Sequence, residues 1–457
     1  MISLYPETYN YNNSYSFLDG IEINYPLPFA YQYCNLCVND HPYRVYASES
    51  DTQETLEDKS RIVLPNNYKD LNGLSGKITD LFVNFDNLYT TTTNSTYLVP
   101  TNAQVFQTDE NDVYLGTGQV LSIPPRELKN TTYAFGGQQY FKSRVSTEYG
   151  TFFVDAISKR PLLLTNNLED ISLSGMRNFW QENGDVFFTE QFFRMTGIEY
   201  PYKSTSSIAG VGYISTYDPR YKRLLVHKRD FALRATWEPY FVYYPQETDS
   251  PETGYLTPKR VWYNGFNFYH NDTTNPPQLI TLENTDFFEN LSFTLSYTFL
   301  SKYWTSFHSY LPRYMFNTSS TFFSTDEDTL GLNYIYKHND LGHQNFYGTY
   351  YPHIIDTVFK YNPMEQKTSS SIIFNSRAYE RDFQSNGWKT VPKTYTGFVG
   401  YNTNQSTGYQ DLVLKTDAFQ FDDVSNIALI KLTDTQWRLN NIRDLVVDNS
   451  LPIWNSS

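Results

Sequence analysis

Short apolar and aromatic runs, separated by Asn, Asp, Gly, Ser and Pro, make up most of the chain. Such runs between turn-forming residues are typical of β-strands. A strand pair is predicted at 321–338, with Asp326, Glu327 and Asp328 at its tip; we interpret the tip as a solvated turn, because a cation site would need further oxygen ligands. Four other segments contain two runs around a central turn and predict β-hairpins: 77–93, 145–164, 211–228 and 293–310.

In three of these hairpins an aromatic residue or Val precedes an Asp at the end of the first strand, at Asp86, Asp155 and Asp218. A carboxylate there can accept backbone N–H groups and close the turn. The Asp residues are 69 and 63 residues apart. This loose recurrence indicates blade-like sheets with long insertions, as in a β-propeller.

One helix is predicted after 166–173. Ser174 is its expected N-cap, Met176, Phe179 and Trp180 fall on one helical face, and Gly184 can end it. We expect the Phe-Trp face to pack on a sheet.

The sequence divides into three regions. Residues 1–65 are expected to be a lead-in that packs on the body, and 66–352 a β-propeller-like domain. Within it, the segment near 243–290 is rich in Pro, Thr and Asn and predicts an extended loop suited to contacts. From His353 strand-like runs continue without Asp-tipped hairpins, which predicts a separate C-terminal β domain, 353–457, of sandwich type. The predicted fold class is therefore mainly β, with few short helices.

Composition supports a β fold. The 457 residues include 41 Tyr, 33 Phe and 7 Trp, and only 18% of residues are charged. Long disordered stretches are disfavoured because they contain few aromatic and many charged residues. Helical bundles are disfavoured because they are built mainly from Ala, Leu, Glu and Lys, whereas this chain is rich in residues that prefer strands and turns. The first residues lack a basic segment followed by an apolar one, and no apolar run approaches about 20 residues, so neither a secretory signal nor a membrane span is expected.

The net charge is −14, from 35 basic and 49 acidic residues. Tight binding of nucleic acid requires clustered Lys and Arg, which this balance opposes. The densest basic cluster lies at 220–230, where strand alternation would separate Lys222 and Arg223 onto opposite faces. We interpret it as a solvated or interfacial strand rather than a phosphate site.

Cys34 and Cys37 form a C-x-x-C motif, the two cysteines of the chain. A structural zinc site would need a second ligand pair, and a redox motif would need a βαβ context that the sequence does not show. Two ordinary thiols are the favoured interpretation, followed by a disulfide or redox pair and then by a metal site.

Histidines and aspartates cluster in the region after 300, but their spacing matches no metal-ligand pattern, and bonds from His to backbone at strand ends are the simpler interpretation. The residues concerned are His308, His338, Asp340, His343, His353 and Asp356. The sequence also contains no nucleophile elbow, P-loop, dinucleotide fingerprint or sialidase-type Asp box. We therefore assign no catalytic, cofactor-binding or metal residues and expect no enzyme activity and no cofactor.

Several ordered strings resemble the muzzle proteins of crAss-like bacteriophages, which belong to the tail nozzle, or DNA-stabilisation, class of short-tailed phages. The resemblance extends from about Pro26 to the C-terminus. The strings lie at 115–127, 146–155 with 160–164, 210–228, 300–314, 336–339 and 345–348.

The resemblance implies a structural virion protein located in the phage tail. In that family the protein forms a ring, expected to be a hexamer, at the distal end of the tail, where it retains packaged DNA and forms its exit conduit. Expected partners are further copies of the chain, other tail proteins and transiently passing DNA, with no membrane. Because family members are often longer, a separate chain could carry the rest of the muzzle.

The competing hypothesis is a secreted or surface β-propeller that binds glycans on Tyr and Trp platforms, and a propeller glycosidase ranks third. A deep central pocket with convergent carboxylates would favour the enzyme. Contact patches between subunits would favour the ring.

Overall fold

The structure, a computed structural model, divides the chain into two compact units, Met1–Pro352 and His353–Ser457. Much of the lead-in predicted at 1–65, including Cys34 and Cys37, lies outside the described residues. The structure describes residues 41–48, 67–101, 121, 123–128, 136–206, 209–244, 260–271, 277–327, 333–339, 344–357, 367–369, 371–382, 387–401, 406–416, 427–440, 442 and 454–456.

The first unit consists mainly of short strands. Before the helices these are β1 (Arg44–Tyr46), β2 (Tyr68–Asp70), β3 (Ile78–Asn84), β4 (Asn87–Thr92), β5 (Thr96–Val99), β6 (Arg126–Leu128), β7 (Val145–Thr147), β8 (Gly150–Asp155), β9 (Arg160–Leu164) and β10 (Leu168–Asp170). Two α-helices follow, α1 (Arg177–Asn183) and α2 (Phe187–Thr196). The next strands are β11 (Gly212–Asp218), β12 (Arg223–Arg229), β13 (Phe231–Leu233), β14 (Phe241–Tyr243), β15 (Arg260–Tyr263), β16 (Phe268–Asn271), β17 (Gln278–Ile280) and β18 (Phe288–Asn290). The unit continues with β19 (Phe293–Thr298), β20 (Tyr303–His308), β21 (Tyr314–Asn317), β22 (Phe322–Glu327), β23 (Asn333–Lys337), β24 (Asn345–Phe346) and β25 (Thr349–Tyr350).

These strands form several small sheets, four of them four-stranded: β3-β4-β5-β6, β7-β8-β9-β10, β11-β12-β19-β20 and β14-β15-β16-β17. The first three are antiparallel throughout, whereas β14 and β15 run parallel. The predicted hairpins are confirmed as β3/β4, β8/β9, β11/β12 and β19/β20, and the further strand pair as β22/β23. The mainly β fold class is thus correct.

The turns differ from the prediction at one of the three Asp positions. Asp218 Oδ1 accepts the N–H of Arg220 at 3.1 Å, and Asp155 Oδ1 accepts that of Ser158 at 3.1 Å. Asp86 instead lies within a two-residue turn, where it has a positive φ of 63°. The loop between β3 and β4 is too short to leave Asp86 in the strand.

The main core of the first unit is aromatic, and α1 packs on it as predicted. Trp180 is fully buried and stacks on Tyr213 of β11 at a centroid distance of 6.0 Å; it also contacts Phe293 and Trp304 at 6.0 and 5.4 Å. The N-cap prediction was wrong, because Ser174 ends a preceding 3-10 turn and α1 begins at Arg177.

The segment near 243–290 differs from the predicted extended loop. Its described residues include β15, β16, β17 and β18, and Val261, Trp262 and Tyr263 of β15 are buried. The reason is the aromatic and β-branched content of these short runs, which outweighs the polar, Pro-rich connections.

The second unit is a β structure with its own core. Its strands are β26 (Lys367–Ser369), β27 (Ser371–Phe374), β28 (Ala378–Asp382), β29 (Gly387–Val391), β30 (Gly397–Phe398), β31 (Gln410–Leu414), β32 (Ile427–Thr433), β33 (Gln436–Asn440) and β34 (Trp454–Ser456). A mixed five-stranded sheet has the order β27-β33-β32-β31-β30. Its buried cluster is Ala428, Ile430, Trp437, Leu439 and Ile442.

Candidate assembly surfaces

An apolar stripe lies on the outer face of β3, the terminal strand of its sheet. Successive side chains of a strand point to opposite faces. Asp80, Phe82 and Asn84 are buried, whereas Leu81 is 50% exposed and Val83 61% exposed. The inner face is therefore packed and the outer face is apolar yet open.

Interactions of the buried residues fix which face of β3 points outward. Phe82 stacks on Tyr89 of β4 at a centroid distance of 5.9 Å, and Asn84 Nδ2 donates to the Leu164 carbonyl at 3.2 Å. Asp80 forms an ion pair with Arg144. Burial raises the pKa of Asp80, and the Arg144 guanidinium opposes this rise. The stripe cannot turn inward without breaking these contacts.

The stripe continues an existing core instead of standing alone. Val83 lies directly opposite Leu88 of β4, and Leu88 packs against a buried cluster that includes Val45, Leu71 and Val99. Apolar packing thus covers Leu88 of β4 and Ile78 at the start of β3, and it leaves Leu81 and Val83 exposed.

Phe85 extends the stripe at the hairpin tip in a strained conformation. It is 52% exposed and has a φ of 45°, and the following Asp86 has a φ of 63°. Two-residue hairpin turns with two positive φ angles favour Asn-Gly, because a Cβ is disfavoured there. An exposed aromatic residue at such a position weakens the hairpin, which is typical of a residue retained for contact.

A second open edge is β20, the terminal strand of the sheet β11-β12-β19-β20. Trp304 points inward, and its Nε1 donates to the Ile171 carbonyl at 2.9 Å. Tyr303 and Phe307 are 62% and 61% exposed, and Phe307 contacts Phe179 of α1 at a centroid distance of 5.2 Å. Phe307 is therefore an exposed aromatic residue next to α1, whereas the bulge at Thr305 places Tyr303 on the opposite face of the sheet.

A serine and a histidine meet inside the first unit in a geometry that resembles a nucleophile and base. Ser324 Oγ lies 2.6 Å from His338 Nε2 and 2.7 Å from the Tyr347 hydroxyl. Nucleophilic catalysis requires that a substrate carbonyl reach the oxygen. Ser324 is fully buried, and the trio is best explained as a satisfied polar network between packed elements.

The interpretation of the basic cluster as a solvated or interfacial strand holds at the hairpin tip, where Arg220 and Lys222 are exposed, and was wrong for β12. Strand β12 is central and mostly buried, and its charged groups pair with carboxylates. Lys228 Nζ lies 2.9 Å from Asp230, and Arg223 Nε lies 2.9 Å from the fully buried Asp218. Arg229 pairs with Glu283 at 2.9 Å. All three cationic side chains therefore form ion pairs with carboxylates of the same unit.

The structure divides the histidines that the sequence places together between the two units. His308 and His338 belong to the first unit, where His338 is buried; His353 is exposed at the start of the second unit. His343 and Asp340 lie outside the described residues. Within the described ranges, no group of three or more His, Cys, Asp or Glu side chains is placed to hold a metal ion.

The acidic tip predicted at 326–328 differs in position. Asp326 lies within β22, opposite Tyr334 of β23, so it precedes the turn. Asp328 lies outside the described residues.

No protein-family model and no curated protein matches this chain. In the part of the chain that the structure describes, no helix has both the length and the apolar character needed to cross a membrane. The surfaces above therefore have to be interpreted from their own geometry.

The β3 stripe was missed at the level of sequence. The signal exists as Leu81, Val83 and Phe85 at alternate positions. The intervening Phe82 is equally apolar, so periodicity alone could not tell which face would remain open.

Proposed function

We propose that this chain is a structural subunit of a phage tail muzzle, which assembles into a ring at the distal tail, retains packaged DNA and forms its exit conduit. The observation that carries the proposal is the stripe of Leu81, Val83 and Phe85 on a terminal strand. The sequence resemblance to crAss-like phage muzzle proteins supplies the identity of the assembly.

The stripe suits a contact between subunits for a physical reason. Terminal strands in monomeric proteins are usually protected by charge, Pro or a covering element, because an open apolar edge invites association. Full burial of an exposed Leu, Val or Phe side chain contributes about 1.5–3 kcal/mol, so covering one that is about half exposed contributes about half as much. Three such side chains, on a strand that is terminal in its sheet, suit the centre of an interface.

The electrostatics suit a conduit for DNA. The net charge is −14, and the Lys and Arg residues of β12 are neutralised within the protein. A wall of this kind repels phosphate and lets DNA pass without binding it.

We further propose a β-propeller-like body at 66–352 and a sandwich-type domain at 353–457. The consecutive four-stranded antiparallel sheets β3–β6 and β7–β10, each a meander, support the first, since propeller blades have this form. The separate core of the second unit supports the second. On this proposal the partners are copies of the chain and neighbouring tail proteins, and the location is the virion tail.

The test is the assembly state of the purified chain and of a stripe variant. Mass photometry of the wild type at micromolar concentration should show a ring, and Leu81→Lys/Val83→Lys should shift it to monomers with an unchanged circular dichroism spectrum. The matched control is Leu279→Lys, which changes a similarly exposed leucine of β17 and should leave the ring intact.

Two outcomes would contradict the proposal. One is a wild type that stays monomeric and is absent from purified phage particles. The other is a ring that survives both lysines in the stripe, which would place the interface elsewhere.

A further inference from the structure

Two histidines face each other across a buried tyrosine where the sheet β11-β12-β19-β20 meets the following strands. His308 ends β20, and His338 follows β23. The ring of Tyr310 lies 5.2 Å from that of His308 and 5.3 Å from that of His338. Tyr310 also stacks on Phe346 of β24 at 4.4 Å. We call His308, Tyr310 and His338 the histidine layer.

The layer is arranged for neutral imidazoles. His338 stacks on Phe322 at a centroid distance of 4.2 Å, and its Nε2 is bonded to Ser324 Oγ at 2.6 Å. His308 is partly buried as a residue, and its Nε2 is buried and has no hydrogen-bond partner among the described residues. A proton on either ring would place charge in apolar surroundings, and on His308 it would have no acceptor.

The carboxylate that acts on His338, Asp218, already has its own hydrogen-bond and ion-pair partners. Asp218 is paired with Arg223 at 2.9 Å and also accepts Asn339 Nδ2 at 2.9 Å and the Arg220 N–H at 3.1 Å. Two protonated histidines beside Arg223 would give three cations near one committed anion. The charged and titratable groups that face the layer or its direct contacts are Asp218, Arg220, Arg223, Tyr310, Asp326, Tyr347 and Tyr351.

The direction of the pH effect follows from these surroundings. Burial and the Arg223 cation lower the pKa of His308 to about 3 and that of His338 to about 4. An unfolded histidine has a pKa of about 6.5. The contribution of the neutral histidines to the stability of the folded state is therefore complete above pH about 6.5. It is lost as the pH falls toward the pKa values that the two histidines have in the folded protein.

We propose that the histidine layer is a proton-operated latch, which at acidic pH releases β21–β25 from the sheet β11-β12-β19-β20 while the rest of the first unit stays folded. The release is local because the layer joins the sheet to two small elements. One is the three-stranded sheet β21-β22-β23, which also packs on β11 and β12 through the small buried cluster of Ile214, Leu225, Met315 and Phe322, and the other is the pair of two-residue strands β24 and β25. The main aromatic core around Trp180 lies outside the layer. The inference is independent of ring assembly.

Hydrogen exchange of the full chain, corrected for intrinsic rates, tests the latch. Between about pH 7.5 and about pH 4.5, peptides covering 321–327 and 344–351 should lose protection at least about tenfold, while peptides covering β8 and β9 keep theirs. In the double variant His308→Gln/His338→Gln, this loss of protection at acidic pH should disappear. The exposed His353→Gln is the matched control and should behave as the wild type.

Uniform loss of protection over the whole unit would overturn the latch, as would an unchanged profile in the folded double variant. If the double variant does not fold at neutral pH, NMR titration of the wild-type His308 and His338 ring protons decides the question. Titration of both rings near pH about 6.5 without opening would reject the latch, and titration below about pH 5 together with opening would support it.

Discussion

At the scale of single residues, the most constrained charge is the buried pair of Lys228 and Asp230. Lys228 Nζ donates to Asp230 at 2.9 Å and to the carbonyls of Asn183 and Asp185 at 2.8 and 2.9 Å. Asp230 also accepts the first two N–H groups of α2 at 2.9 and 3.0 Å. Burial raises the pKa of Asp230, and Lys228 and these N–H groups oppose the rise. The pair ties β12 to both helices.

We expect Lys228→Met to destabilise the first unit by about 3–5 kcal/mol, because it leaves the Asp230 carboxylate buried without its cation. Chemical denaturation at neutral pH measures the change. Lys222→Met is the control: Lys222 pairs with Glu148 at the surface, and its loss should change stability little. Equal losses in the two variants would contradict the buried pair.

The sequence predicted the alternation of β12 but not its burial. Charged residues at both ends of a strand indicate exposure unless their partners are known. Asp218 and Asp230 lie close by in the sequence, but the third partner comes from a distant segment. Glu283, which pairs with Arg229, is 54 residues away. No local pattern contains that information, so the strand was interpreted as solvated.

At the scale of elements, hairpins were predictable and one helix was not. Alternation and turn residues are local signals, and they located β3/β4, β8/β9, β11/β12 and β19/β20. Helix α2 has the sequence FFTEQFFRMT, whose phenylalanines favour strands in isolation. Its helical form depends on packing, since Phe188 and Phe192 are fully buried against other aromatics.

The β3/β4 turn allows stability and assembly to be separated. We expect Phe85→Asn/Asp86→Gly to stabilise the first unit by about 1–2 kcal/mol, because both residues have positive φ. The same change removes an exposed apolar residue, so the ring should weaken. Thermal unfolding and mass photometry report the two effects.

A matched turn in the second unit provides the control. Asp434 and Thr435 also have positive φ angles, of 49° and 70°, between β32 and β33. Asp434→Asn/Thr435→Gly should stabilise the second unit and leave assembly unchanged. If the two variants affect assembly equally, Phe85 is not part of the interface.

At the scale of the whole molecule, charge governs the encounter with DNA. With a net charge of −14, the wild type should not retard duplex DNA in electrophoresis at about physiological ionic strength. Replacing the exposed Glu182, Glu199 and Glu289 by Lys should produce weak, salt-sensitive retardation and slow ejection from phage particles.

The corresponding Gln variants separate lost repulsion from gained attraction, and they should retard DNA less than the Lys variants do. Retardation by the wild type would contradict a non-binding wall. An unchanged rate of DNA ejection with the Lys variants would contradict the proposal that repulsion between the acidic protein and the DNA assists its passage.

The sheet β11-β12-β19-β20 also constrains how the chain matures on the ribosome. His227 of β12 pairs with Thr294 of β19, 67 residues later. At a synthesis rate of about 5–20 residues per second, the ribosome adds Thr294 roughly 3–13 s after His227, and β12 cannot pair with β19 before then. During that interval its leucines and cations are open to water and to other nascent chains. Chaperone demand should therefore peak while the ribosome translates the stretch between the two strands.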